Sequence, residues 1–133
     1  MQMSAETILI VEDNEKSMKL FRDVLEVKGY RTLEATTGAR AVELATRHLP
    51  DVVLMDVQLP DVDGVEALRR IRTDSRTAFL PVVAVTAQAM DGDRERFLRA
   101  GFDAYLSKPV DIAELLDVVK TARTAWLSSP APD

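Results

Sequence analysis

The sequence predicts an α/β fold, a doubly wound five-stranded parallel sheet with helices on both faces. Three observations predict it. Short apolar runs alternate five times with amphipathic segments at helical spacing. The runs ILIV (8–11), VVLMD (52–56) and VVAVT (82–86) are apolar at nearly every position, as strands covered on both faces are. The chain has 133 residues, 47% of them apolar, which suits one substantial core; an eight-fold barrel needs about twice that length.

Each element has its own justification in chain order. ILIV is the first strand. Residues 15–28 follow as a helix with Leu20, Phe21, Val24 and Leu25 on one side, and Gly29 is placed to end it. RTLEA (31–35) is more polar, as an edge strand would be. Residues 38–48 form a second helix with Ala41, Val42 and Ala45 inward, stopped by Pro50. VVLMD is the third strand, and residues 64–73 give a helix carrying Val65, Leu68 and Ile71. VVAVT is the fourth strand, followed by a charged helix over 91–100 that ends at Gly101. AYLS (104–107) is the fifth strand. The last helix, 111–126, shows Ile112, Leu115, Leu116, Val119 and Ala122 at i, i+3, i+4 spacing. That leaves one domain over 6–126 and a short polar segment, LSSPAPD (127–133), expected to be a disordered, frayed tail.

Composition narrows the function. A net charge of −5 argues against a nucleic-acid surface. Arg69–Arg70–Arg72 and Arg94–Arg96–Arg99 sit among acids in helical segments and read as solvated helix faces. Without cysteine there are no disulfides or thiolate metal sites. The opening MQMSAE lacks the features of a signal peptide, and no apolar run approaches the ~18 residues of a membrane span. A soluble cytoplasmic protein is expected.

VVLMDVQLPDVDG (52–64) contains the informative conflict: an apolar strand runs straight into a carboxylate, Asp56, and then a Pro-, Asp- and Gly-rich loop. Burying a lone charge is costly. In doubly wound sheets, however, ligands bind beyond the carboxyl ends of the strands, where strand order reverses. Those ends carry Glu12 and Asp13, Asp56, Thr86, and Lys108 with Pro109. Three acids in one pocket repel, by about 4 kcal/mol for two unit charges 4 Å apart at an effective dielectric near 20. A hard cation removes that problem, and Mg²⁺ favours oxygen ligands and commonly shares one or two carboxylates with a phosphate. Asp13 and Asp56 suit direct ligation, and Glu12 direct or water-mediated ligation. Thr86 and Lys108 supply the hydroxyl and ammonium that a phosphoryl group attracts. The one histidine, His48, ends the second helix and is expected to be exposed, so Asp56 is the best nucleophile and its product would be an acyl phosphate. Each residue also has an ordinary reading: Asp56 as a turn residue or cap, Glu12–Asp13 as a cap of the first helix, Thr86 as a β-former, Lys108 as a surface lysine. Their coincidence at one sheet edge favours the phosphoryl site.

Together, ILIVEDN, VVLMDVQLPDVDG, PVVAVTA and AYLSKP resemble the receiver domain of response regulators in two-component signalling, over residues 6–126. The resemblance implies a strand order of 2-1-3-4-5. It implies that Asp56 accepts a phosphoryl group from a histidine kinase or histidine phosphotransfer protein. It implies Mg²⁺ at Asp13, Asp56 and the backbone carbonyl of Gln58, with Glu12 assisting. Thr86 and Lys108 would contact the phosphoryl group, Tyr105 would be the aromatic switch, and the Lys108–Pro109 peptide would be cis. Gln58 and Gln88, two residues beyond Asp56 and Thr86, would modulate phosphoryl lifetime.

With seven residues after Trp126, the chain is expected to act as a stand-alone regulator, monomeric or weakly dimeric. It would promote only its own phosphorylation and dephosphorylation, and bind a protein target through the face formed by 91–100, 104–107 and 111–126. Arg94, Arg99, Glu114, Asp117 and Val118 are expected near that target. The alternatives are a receiver cut from a hybrid kinase or larger regulator, and an aspartyl-phosphate phosphatase. The second lacks the usual acid two residues after the nucleophile, where Gln58 stands.

Overall fold

The computed structural model of the chain describes residues 6–87 and 91–128. Its elements are β1 (Thr7–Val11), α1 (Glu15–Val27), β2 (Arg31–Ala35), α2 (Gly38–His48), β3 (Val52–Asp56), α3 (Gly64–Thr73), β4 (Val82–Thr86), α4 (Asp93–Ala100), β5 (Ala104–Ser107) and α5 (Ile112–Ser128). The strands are all parallel, in the order β2-β1-β3-β4-β5, so β1 and β3 flank the point where the order reverses. This is the expected doubly wound sheet.

Strand alternation divides the core in two. On one face Ile8, Ile10, Val52, Leu54, Val83, Val85 and Leu106 pack with Met18, Phe21 and Leu25 of α1 and Leu115, Val119 and Ala122 of α5. On the other, Leu9, Val11, Val53, Met55, Val82 and Ala84 pack with α2, α3 and Phe97 of α4. Register fixes this division. Ile10 pairs with Leu54, and Asp56 with Val85; a one-residue slip would turn every side chain to the wrong face.

Helix starts are set locally. Asn14 accepts a hydrogen bond from Ser17 N–H at 3.0 Å, Thr37 from Arg40 N–H at 3.1 Å, and Asp63 from Glu66 N–H at 2.8 Å. Asn14, rather than Glu12 or Asp13, caps α1. Gly29 and Gly101 follow α1 and α4 with φ of 94° and 119°, a region that side chains with a Cβ avoid.

Several sequence expectations shift in detail. Leu20, Val65 and Ile112 are 42%, 38% and 47% exposed, while Met18 of α1 and Leu44 of α2 are buried. The inward stripe of α1 runs through Met18, Phe21 and Leu25; Leu20 lies about 100° around the helix from Phe21. The charged helix begins at Asp93 rather than 91, after Gly92 at φ 86°. Helix α5 reaches Ser128, so the segment expected to fray is helical at 127 and 128; 129–133 and Gln88 lie outside the described residues. Arg72 does not belong to a solvated face. It is half-buried and donates to the carbonyls of Ala78, Leu80 and Gly101 and to Asp103. Among the described residues no helix is long and apolar enough to cross a membrane.

Candidate phosphoryl-transfer site

The carboxyl ends of the strands bring the acids together. Glu12 and Asp13 follow β1, and Asp56 is the last residue of β3. One carboxylate oxygen from each lies within 4.8 Å of the others. Glu12 and Asp56 are buried, 1% and 5% exposed, while Asp13 is exposed. Lys108, beyond β5, reaches across with Nζ 2.7 Å from Glu12 Oε1 and 3.2 Å from Asp56 Oδ2. The Lys108–Pro109 peptide is cis.

Alternation explains this grouping. Glu12, Asp56 and Lys108 extend the rows Ile8–Ile10, Val52–Leu54 and Leu106 on the α1/α5 face. Thr86 extends Val82–Ala84 on the opposite face, which Tyr105 shares. Thr86, 3% exposed, and Gln58 line a cavity of about 220 Å³ with Asp63, Val65, Asp93, Arg96 and Phe97. Tyr105 stacks on Phe97, ring centroids 5.7 Å apart and planes 24° apart. The aromatic therefore lies on the α4 side, on the same face as the hydroxyl.

The electrostatics follow from burial and a shortage of cations. Burial pushes the Glu12 carboxyl up; Lys108 and the Asn14 N–H oppose it, and the neighbouring Asp56 charge adds to the rise. For Lys108, burial acts downward, but Glu12 and Asp56 outweigh it and hold the ammonium above its ordinary value. One lysine thus serves two buried carboxylates, with a third at the rim. Glu12 Oε1 is buried and faces the ammonium without hydrogen-bond alignment, so acceptor capacity remains. A hard, oxygen-seeking cation fits this donor set.

The loop after Asp56 is built to leave the acid uncrowded. Gln58 N–H donates to Asp56 Oδ1 at 2.8 Å, and Gly64 N–H donates to the Val57 carbonyl at 2.8 Å. A Cβ on Gly64 would lie 2.7 Å from both the Asp56 carbonyl oxygen and Val57 Cα, so only glycine lets α3 begin against the end of β3. Two buried acids with an ammonium between them lie on one face of the sheet, and a hydroxyl with an aromatic lies on the other.

The family model for the response regulator receiver domain matches residues 8–120. The chain belongs to the response regulator receiver family. A curated relative, the polar-differentiation response regulator DivK of Brucella ovis, is 45% identical over 115 residues, 86% of this chain and 94% of DivK. Among solved structures, a response regulator from Chloroflexus aurantiacus superposes with a TM-score of 0.86 at 32% identity, covering 91% of this chain and 99% of that one. The receiver domain of the sensor histidine kinase PA1611 from Pseudomonas aeruginosa gives 0.84 at 38% identity, covering 91% and 99%; that structure has a magnesium ion coordinated in its active site cleft.

Glu12, Asp13, Asp56, Gln58, Thr86 and Lys108 lie at the carboxyl edge of the sheet, and Tyr105 lies within β5, in register with Ala84. His48 ends α2 and is exposed, as expected. Of the side chains expected near a target, Arg94, Arg99, Glu114 and Asp117 are exposed, and Val118 is half-buried. Sequence reasoning missed Asp93, which is 6% exposed, lines the Thr86 cavity and pairs with Arg96 at 3.0 Å. Its position, seven residues after Thr86 in the following helix, carries no distinctive sequence signal.

Proposed function

We propose that Asp56 is the phosphoacceptor of a protein-binding switch fed by a histidine kinase or histidine phosphotransfer protein. The observation that carries this reading is the Glu12–Asp13–Asp56 cluster with Lys108 set between its two buried members. An Asp56 oxygen attacks the phosphorus of a phosphohistidine. The P–N bond breaks, its electron pair returns to the imidazole, and an acyl phosphate forms on Asp56.

Asp13, Asp56 and the Gln58 carbonyl would hold Mg²⁺, with Glu12 assisting. When bound, the ion offsets negative charge on the carboxylates and on the transferring oxygens. Lys108 pairs with a phosphoryl oxygen, already drawn to this corner by Asp56 and Glu12. Thr86 donates its hydroxyl to another. Gln58 carries no base, so its part in the lifetime of the acyl phosphate is to shape the path of an attacking water. The chain acts on no other substrate.

Output follows from the Thr86 side of the sheet. Movement of Thr86 toward the phosphoryl group opens room for Tyr105 to leave its Phe97 stack and turn inward, which reshapes the α4–β5–α5 face. A stand-alone regulator, monomeric or weakly dimeric in the cytoplasm, would bind its target there. Full inversion of such an equilibrium from 1:99 to 99:1 needs about 5.5 kcal/mol, so phosphorylation shifts the populations partway.

The test is intact-mass measurement after incubation with Mg²⁺ and a small phosphodonor. Wild type should gain one phosphoryl group and Asp56→Asn none; undiminished labelling of the variant would refute the assignment. Target affinity measured with and without beryllofluoride tests the switch: enhancement should shrink in Tyr105→Ala, and equal enhancement in both would exclude Tyr105.

A further inference from the structure

The loop between β3 and α3 makes one long-range connection that phosphoryl chemistry does not use. Asp61 accepts the backbone N–H of Gly38 at 2.7 Å through Oδ1 and that of Ala39 at 2.9 Å through Oδ2. These are the first two residues of α2, and Thr37 Oγ1 accepts the third free amide, Arg40 N–H. The start of α2 is therefore capped largely by a carboxylate from a loop on the far side of β1, 22 and 23 residues away in sequence. Both Asp61 oxygens are committed, and its carboxyl is held down at about 2 by the Gly38 amide first and the Ala39 amide second.

A second contact reinforces the first. Val62 Cγ2 occupies the space where a Cβ on residue 38 would stand, so Gly38 lets the loop sit directly on the helix. Among the described residues, the polar ties from 59–62 to another element are the two made by Asp61. Upstream, little freedom separates Asp61 from Gln58. Pro60 has a fixed φ, Leu59 is restricted by the proline that follows it, and its side chain packs against the core.

Resting on the receiver reading above, we infer that Asp61 is a positioning residue for the metal-binding loop. By gripping the two leading amides of α2, it sets where the Gln58 carbonyl stands relative to Asp56 and Asp13. Outer partners that orient a ligand typically matter about 10- to 100-fold in metal affinity. The tie also runs in reverse: whatever orders the loop tightens the start of α2, because coupling between two equilibria is reciprocal.

The experiment measures Mg²⁺ affinity by calorimetry in the full chain, at a temperature where each variant is folded by circular dichroism. Asp61→Ala should bind Mg²⁺ about tenfold more weakly, at the low end of that range. Asp61→Asn, which keeps one acceptor oxygen, should lie between it and wild type. Gly38→Ala, which pushes on Val62 and leaves the Asp61 carboxylate in place, should also weaken binding. In wild type, Mg²⁺ should slow hydrogen exchange of the Gly38 and Ala39 amides, a response that a purely structural cap does not give. Unchanged Mg²⁺ affinity in folded Asp61→Ala, or amide exchange indifferent to Mg²⁺ in wild type, would overturn the inference. Failure of wild type to bind Mg²⁺ would instead overturn the receiver reading and this inference with it.

Discussion

Three acids near each end of the sheet are treated differently. At the amino end, each of the three has its own partner. Asp51 accepts Thr7 N–H at 2.7 Å, Asp103 accepts Val82 N–H at 2.8 Å and pairs with Arg72 at 2.8 Å, and Glu6 pairs with Arg123 at 2.6 Å. At the carboxyl end, Glu12 and Asp56 share Lys108, and Asp13 stands at the rim beside them. The same residue types are balanced at one end and in surplus at the other. Balance holds the fold together; surplus negative charge suits a hard cation.

Substitutions can break either side of this contrast. The largest effect is expected at the balanced end. Arg72→Met removes a guanidinium that donates to three carbonyls and a carboxylate, tying the approaches to β4 and β5. Buried acceptors left unpaired cost about 1–3 kcal/mol each; with water reaching part of this site, a loss of about 2–4 kcal/mol in denaturant unfolding is expected. Mg²⁺ affinity should not change, and a parallel loss would mean the two ends are not independent.

The next effect is at the end in surplus. Asp13→Asn should weaken Mg²⁺ binding about tenfold, or about 1.4 kcal/mol, with little loss of stability because Asp13 is exposed. Lys108→Ala should leave Mg²⁺ affinity intact or raise it, since the ammonium competes with the ion for the same oxygens. Equal loss in the two variants, by calorimetric titration, would contradict the charge accounting.

The smallest effect is a difference in pH response. Glu12 has its proton affinity raised by burial, so the folded chain binds that proton more tightly than the unfolded chain does. Its contribution favours folding below the ordinary glutamate range and is lost as pH rises through the elevated folded value. Asp61 has the opposite sign. The amides of α2 stabilise its charged form, so its contribution is present above the ordinary aspartate range and lost as pH falls through about 2. A carbon-13 titration of the side-chain carboxyls should show Glu12 protonating above Asp61; the reverse order would refute both assignments.

Sequence alone located all ten elements, because strands buried on both faces and helices with one apolar stripe leave different periodicities. The site was legible for a related reason: parallel topology forces strand ends to converge, so residues just past ILIV, VVLM and AYLS had to meet. What stayed hidden are interactions whose partners are backbone atoms. Arg72 and Asp61 look like surface charges in sequence. Their acceptors and donors are carbonyls and amides of residues such as Leu80 and Gly38, and a peptide group carries no letter of its own. The misplaced Leu20, Val65 and Ile112 have a different cause. Each lies beside its helix's apolar stripe, and a hydropathy pattern marks the stripe without fixing its width.

The alternation that sends Glu12, Asp56 and Lys108 to one face and Thr86 and Tyr105 to the other also bears on how such a protein can diversify. Surface changes on α1 and surface changes on α4 lie on opposite faces of the sheet. Their effects should combine additively, as they do at distant sites without shared partners. Under the switch proposed above, recognition of a donor on the α1 side and of a target on the α4 side would then change one at a time, with the tip of β4 as the narrow crossing that every variant must preserve.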